Sequence, residues 1–370
     1  MKRFLLTLLG TLCAFAAVES QTIPRVTIRG YVIDDSTHAP LISANVFIAG
    51  TMMNTITDTN GTYVLRNVPL GSHELIVSLI GYETITYPLH LAKQRDRTLD
   101  FKLKPRTISL PTTEITEQFD RMWKEHLVTF TKEFIGSSSN AKECRIINPE
   151  ILDFKHDPIS GSLKTLSERP LYLENEALGY RIMMLLNDFE KTSGLLRYTV
   201  QLRFEKLPPP DSATALLWKR NRLLTYRGSL RHFLHSVITD RVAENGFVVQ
   251  KSDGPTWGEI YRYDINRSEV IYVTSDSLSK YEQYINFPGY LRVIYLNERE
   301  PDEFVSFRHY DGSDLPVNLE HQTSWILMQA THATVDLEGN LLLPYSVKVY
   351  GYWAFQRIAD TLPKEYDPDE

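Results

Sequence analysis

The stretch from Thr57 to Tyr82 reads TDTNGTYVLRNVPLGSHELIVSLIGY. Asn60-Gly61 supplies the positive φ of a tight hairpin turn, and Pro69-Leu70-Gly71 marks a second turn. Between and beyond them apolar residues alternate: Leu75, Val77 and Leu79 against Glu74, Ile76 and Ser78. Such alternation describes strands with one buried face. The period extends both ways. Val26, Ile28 and Val32 alternate with Arg25, Thr27 and Arg29, and Ala44, Val46 and Ile48 alternate with Asn45 and Phe47. Ile85, Tyr87, Leu89 and Leu91 form another stripe, and Leu99, Phe101 and Leu103 close the series. About seven short strands in about 80 residues, separated by turn signals, predict an all-β sandwich over 23–105.

The segment GYVIDDSTHAPLISANVFIAGT, from Gly30 to Thr51, precedes this hairpin. Together they carry a Gly-x-Val opening, an acidic turn ending in Pro-Leu, an Ala-x-Val strand and Gly-Thr. Thr-Asp-x-x-Gly, Val-Pro-x-Gly and a final Gly-Tyr follow. Gly30, Val32, Pro40, Leu41, Ala44, Val46, Gly50, Thr51, Thr57, Asp58, Gly61, Tyr63, Pro69, Gly71, Gly81 and Tyr82 fall in register. This pattern resembles the carboxypeptidase-regulatory-like domain. The resemblance implies a transthyretin-like sandwich of seven strands, an accessory module common in envelope proteins and in front of outer-membrane uptake receptors. It implies no peptidase activity. A zinc carboxypeptidase needs His-x-x-Glu and a distant His, which together leave a coordination position open. No His here precedes a Glu by three residues, and His73-Glu74 is followed by Val77 where a zinc hydrolase would place its second His. Asp58-Thr59-Asn60-Gly61 looks like part of a calcium loop, but no late bidentate Glu follows, so it reads as a turn.

The chain has 370 residues, a length suited to two domains, with 42% apolar residues and a net charge of −6. That charge gives no global basic field for nucleic acid. Residues 1–20 have the layout of a secretory signal peptide. Lys2 and Arg3 precede an apolar run from Phe4 to Val18, and Val18 and Ser20 fit the cleavage positions before Gln21. Leu12 stands before Cys13 where a lipoprotein signal needs a small residue. The expectation is an exported protein, periplasmic or associated with the outer membrane. Its mature chain would have no transmembrane segment and one cysteine, Cys144, read as a small buried hydrophobe.

Residues 106–140 read as a linker followed by a helix, Glu114 to Phe134, stopped at Gly136. Residues 141–366 read as a larger α+β domain with a mostly antiparallel sheet and a helical pair. Asp211 or Ser212 caps the first helix, and Gly228 or Ser229 starts the second. Leu230, Phe233, Leu234, Val237 and Ile238 form the apolar face of that second helix, which Gly246 ends. Leu337-Glu338-Gly339-Asn340 reads as a hairpin turn. The layout of this region resembles the uncharacterised region that follows the sandwich in such envelope proteins, and no activity comes with the resemblance.

Candidate chemistry is sparse. His232 and His235 lie three apart on the second helix, away from its apolar face, and His321 or His332 would have to complete a metal site. Lys219, Arg220, Arg222, Arg227 and Arg231 form the densest basic stretch, suited to an anionic lipid, a polymer or an acidic partner. Tyr345, Tyr350, Tyr352, Trp353 and Phe355 crowd together. Strand alternation would place Tyr345, Gly351, Trp353 and Phe355 on one face and Tyr350 and Tyr352 on the other, so that one side reads as core, with a glycan platform as the alternative. Ser139-x-x-Lys142 and Ser277-x-x-Lys280 match an acyl-enzyme motif but lack its partner motifs. The sequence is read as a non-enzymatic envelope protein without cofactor, whose sandwich supports a binding or assembly domain with an envelope protein or glycan as partner. The alternative is a hydrolase with its site in 141–366.

Overall fold

The computed structural model describes residues 23–106, 117–255, 271–275, 280–311 and 320–369. The expected signal peptide, most of the linker, and Ser277 lie outside the described residues. The sandwich is present. Its first sheet joins β1 (Arg25–Asp34) to β4 (Thr62–Pro69), β7 (Arg97–Thr98) and β8 (Phe101–Leu103); the second orders β3 (Asn54–Ile56), β2 (Asn45–Ile48), β5 (Gly71–Ser78) and β6 (Ile85–Leu91). Eight segments stand where the sequence predicts about seven strands, because both β7 and β8 pair in parallel with β1. Ile28, Val32, Ala44, Val46, Ile48, Val68, Leu75, Val77, Leu91 and Leu103 are fully buried between the sheets. The hairpin turn is held by Asp58, whose carboxylate accepts from the amides of Asn60 and Thr62 and from the Thr62 hydroxyl. Those local donors occupy the oxygens that a calcium loop would offer to a metal.

Alternation places Phe47 and Ile76 outward, toward water. Both are fully buried. The outer face of the β3-β2-β5-β6 sheet is covered by the next sheet, where Phe47, Ala49 and Ile76 meet Met183 and Leu185. That next sheet orders β10 (Asp153–Asp157), β11 (Ser162–Leu166), β13 (Tyr180–Lys191), β12 (Leu171–Asn175) and β9 (Cys144–Ile146), with β14 (Leu196–Lys206) also paired to β13. Every pairing in it is antiparallel. β13 is buried on both faces: Ile182, Met184 and Leu186 enter a core with Phe130, Phe134, Phe189 and Phe204, while Met183 and Leu185 turn to the sandwich. Main-chain bonds reinforce the contact. Gly50 N–H donates to Leu202 O at 2.7 Å and Phe204 N–H to Thr51 O at 2.9 Å.

The predicted helix is α1 (Glu117–Phe130), continued by a π-helical turn, Thr131–Ile135, and ended at Gly136 with φ 117°. A short α2 (Ser139–Lys142) precedes β9. The predicted helical pair is α3 (Ser212–Tyr226), capped by Asp211, and α4 (Leu230–Ile238), capped by Ser229. α4 stops at Thr239, earlier than Gly246, because Asp240 takes a left-handed φ of 59°. Phe233, Leu234, Val237 and Ile238 are buried as expected. They pack against a four-stranded sheet: β15 (Phe247–Ser252), β18 (Tyr290–Tyr295), β19 (Gln322–Met328) and β21 (Val347–Gly351). β16 (Tyr272–Ser275), β17 (Glu282–Asn286) and β20 (Ala333–Asp336) form a further three-stranded sheet. The strands beyond β8 therefore form three antiparallel sheets where one was expected, since alternation reports a buried face but not which strands share it.

Phe47 couples the sandwich to β13. Phe47→Ala is expected to cost about 3–5 kcal/mol, the usual loss for a large ring from a closed core. The unfolding midpoint of the whole chain should fall in a denaturant melt. An unchanged midpoint would mean that the two faces are not joined through this ring.

Candidate functional site

A cleft of about 500 Å³ lies where the sandwich, α4, the β20 turn and the segment Pro363–Asp369 meet. The sandwich contributes Arg25 and the β4–β5 corner from Pro69 to His73; β17 contributes Glu282. Arg231 and His235 come from α4, and Tyr226, Tyr281 and Tyr366 also line the cleft. The β20 turn folds as predicted, with Gly339 at φ 83° and Asp336 Oδ1 accepting from the amides of Glu338 and Asn340. Only glycine fits at 339, since a Cβ there would lie 2.4 Å from the carbonyl oxygen of Arg231.

Arg231 builds the cleft's inner wall. Its guanidinium donates to the carbonyls of Glu338 (3.1 Å), Pro363 (3.0 Å), Lys364 (2.7 Å) and Tyr366 (2.8 Å). The same segment is tied to the sandwich: Lys364 N–H donates to Gly50 O at 2.8 Å, and Glu365 Oε1 accepts from Met52 N–H. Glu282 accepts from the amide and hydroxyl of Ser72.

Several polar groups in the cleft lack partners, the Lys364 ammonium and Glu365 Oε2 among them. Among the described residues the Lys364 ammonium has no hydrogen-bond or ion-pair partner, and the buried Glu365 Oε2 has no hydrogen-bond partner. Burial pushes the lysine below its ordinary value, with Asp336 and Glu74 pulling it back. Burial raises Asp336 against the hydrogen bonds from Asn340, and raises Glu365 against the Met52 amide. Glu338 is pushed up to about 6, first by burial and then by Asp336.

Of the candidates read from sequence, Arg231 and His235 line the cleft and the others fall elsewhere. His232 is wedged among Tyr226, Phe247 and Tyr295, its Nδ1 accepting from Gly228 N–H. Burial, then His235, holds it down to about 4. His235 Nδ1 lies 3.4 Å from the Tyr226 hydroxyl, and burial lowers its pKa. His332 stacks on Tyr284, and no group of three His, Cys, Asp or Glu suited to a metal occurs among the described residues. The basic stretch divides. Arg222 and Arg231 turn inward onto main-chain carbonyls, while Lys219, Arg220 and Arg227 are exposed.

The aromatic platform is corrected, because the strand ends at Gly351 and Tyr352–Phe355 form a helical turn. Tyr350 lies against Tyr290, whereas Tyr352 packs on Phe304 and Phe355. Trp353 is buried with its Nε1–H on Gly228 O, and Tyr345 is exposed with its hydroxyl on Tyr198 O. Cys144 is half-buried, and its thiol is pushed up to about 12 by burial and then by Asp360, the reverse of an activated nucleophile. Ser139 and Lys142 both donate to Glu303. The cleft itself escaped sequence reading, because its residues come from positions as far apart as Arg25, Glu282, Glu338 and Lys364 with no shared spacing.

Residues 28–115 match the CarboxypepD_reg-like domain family, so the N-terminal sandwich is a domain of that kind. No curated protein matches the chain. Among solved structures, it is similar to a type II cohesin–X-dockerin complex from Acetivibrio cellulolyticus, at 28% identity over 20% of this chain and 52% of that one, with a TM-score of 0.18. It is also similar to 3-chlorocatechol 1,2-dioxygenase from Rhodococcus opacus 1CP (14% identity, 24% of this chain and 62% of that one, TM-score 0.20). A third is a DUF3823 family protein from Parabacteroides merdae (10% identity, 50% of this chain and 82% of that one, TM-score 0.18). The chain thus spans little more than half the length of the first two, and TM-scores of this size carry no function across. No helix among the described residues is long and apolar enough to cross a membrane.

Glu338 gives the cleft a pH signature. Its folded pKa of about 6 lies above the ordinary 4.5, so the folded state holds the proton more tightly. Its contribution favours folding below about 4.5 and is lost as the pH rises through 6. Glu338→Gln should therefore stabilise the protein by about 1–2 kcal/mol at pH 8 and have no effect near pH 4. Thermal melts at the two pH values read the difference, and equal shifts at both would contradict the buried placement.

Proposed function

We propose that the protein is an exported, non-enzymatic binding protein, in which the CarboxypepD_reg-like sandwich and the following sheets together form a ligand cleft. The observation that carries this reading is the Lys364 ammonium, which lines one walled cleft without a hydrogen-bond or ion-pair partner among the described residues. Its volume falls within the range of small-ligand sites. Hydroxyl groups accept from an ammonium, so a saccharide satisfies Lys364. Tyr366, half-buried at the cleft, adds an aromatic side chain to its lining. A glycan fragment is therefore the ligand class proposed.

The hydrolase alternative rests on His232 and His235, of which only His235 lines the cleft, beside Asp336 and Glu338. One is enclosed by aromatic rings, and the other leans on a tyrosine hydroxyl.

Calorimetric titration of the full chain with an oligosaccharide panel tests the reading. At least one member should bind, and Lys364→Met should weaken it about tenfold, the loss of roughly one charge-assisted hydrogen bond. Failure of the whole panel, or binding indifferent to Lys364→Met, would remove the glycan assignment. Turnover of peptide, ester or glycan substrates, with or without added zinc, that disappears in a His232→Ala, His235→Ala variant would overturn the non-enzymatic reading.

A further inference from the structure

α3 buries Trp218, Thr225 and Tyr226 but leaves three leucines in water. Its inward face is fixed by polar anchors on the turn between β12 and β13. Trp218 Nε1–H donates to Glu176 O at 2.6 Å, Asn221 Nδ2 to Ala177 O at 2.8 Å, and Arg222 Nε to Leu178 O at 2.7 Å. The Arg222 guanidinium also lies 4.3 Å from the centre of the Tyr180 ring. Its outward face carries the leucines: Leu216 is 69% exposed, Leu217 52% and Leu224 44%. A helix docked only for the sake of the fold would turn leucines inward and leave Asn and Arg in water. The exposed leucines form a clustered apolar surface that wants a cover.

The residues between those leucines identify the cover. Lys219, Arg220 and Arg227 are exposed with them, and the helix from Ser212 to Tyr226 contains no acidic residue. Lys219 and Arg220 have no ion-pair partner among the described residues. This local positive charge stands out on a chain whose net charge is −6. A protein partner's buried interface core disfavours lysine among its leucines. A bilayer surface accepts both. Leucines enter the acyl boundary, while long basic side chains reach back to anionic headgroups.

We propose that the outward face of α3 is a docking surface for an anionic lipid bilayer, with Leu216, Leu217 and Leu224 inserting and Lys219, Arg220 and Arg227 pairing with lipid phosphates. The contact is peripheral and reversible, as a few leucines and three charges are far short of a membrane-spanning segment. It uses a different face from the cleft and does not depend on the cleft's ligand.

Co-sedimentation of the full chain with phosphatidylcholine vesicles containing phosphatidylglycerol, beside vesicles of phosphatidylcholine alone, tests it. Binding to the anionic vesicles is expected, weakened by salt and at least about tenfold weaker to the neutral ones. Leu216→Ser with Leu224→Ser should abolish the binding. Lys219→Gln with Arg220→Gln, a purely surface change, should reduce it severalfold. An unchanged thermal midpoint in each variant shows that the fold is kept. Absence of binding to anionic vesicles would overturn the proposal, as would equal binding to both vesicle types or binding retained in both variants. Self-association of the parent chain that is lost in the leucine variant would assign the face to a second copy and overturn it as well.

Discussion

Arg231 donates to four main-chain carbonyls drawn from two separate segments, the β20 turn and Pro363–Tyr366. A guanidinium has five N–H donors fixed in a plane, and burial makes each of them expensive to leave unpaired. The carbonyls it meets carry the same constraint. Arg231 thus joins α4 to a turn more than a hundred residues away. It also fixes the strip of chain that in turn bonds Gly50 and Met52 of the sandwich. A lysine would supply the charge but not the fork, and it could not reach four acceptors at once. The cleft exists because this one side chain holds its walls.

The second constraint is the double burial of β13. A strand with one wet face can be read from alternation, but β13 sends Met183 and Leu185 to the sandwich and Met184 and Leu186 to its own core. The burial of Phe47 and Ile76 follows from the same contact. The sandwich is consequently a wall of the larger structure, and its outer sheet face is covered. The edges and corners that remain, chiefly Pro69–His73, are the parts that reach the cleft.

The charges in the cleft oppose one another without cancelling. Asp336, Glu338 and Glu365 are all raised by burial while Lys364 is lowered, so each charged form is held at some cost. A folded protein tolerates such a cost where the groups serve a site, since removing water strengthens whatever they bind. By contrast His232 and Cys144 are shifted toward neutrality inside packed surroundings, which is the behaviour of groups absorbed into the fold.

The sequence by itself determined the sandwich, down to the Asn60-Gly61 turn and the alternating core from Val26 to Leu103. It also narrowed the caps of α3 and α4 to two neighbouring residues each and marked the buried face of α4. These are local matters, since turn chemistry, capping and period act over a few residues. It could not say which strands beyond β8 share a sheet, because alternation is blind to partners. It placed Tyr352 and Trp353 on a strand where main-chain geometry at Gly351 starts a helical turn. It grouped five basic residues that the fold divides, turning Arg222 and Arg231 inward and leaving Lys219, Arg220 and Arg227 outside. The cleft was invisible for the same reason: Arg25, Glu282, Glu338 and Lys364 become neighbours only after the chain has folded. Which polar groups find partners, and which are left to bind something else, is settled by those long-range contacts and by nothing shorter.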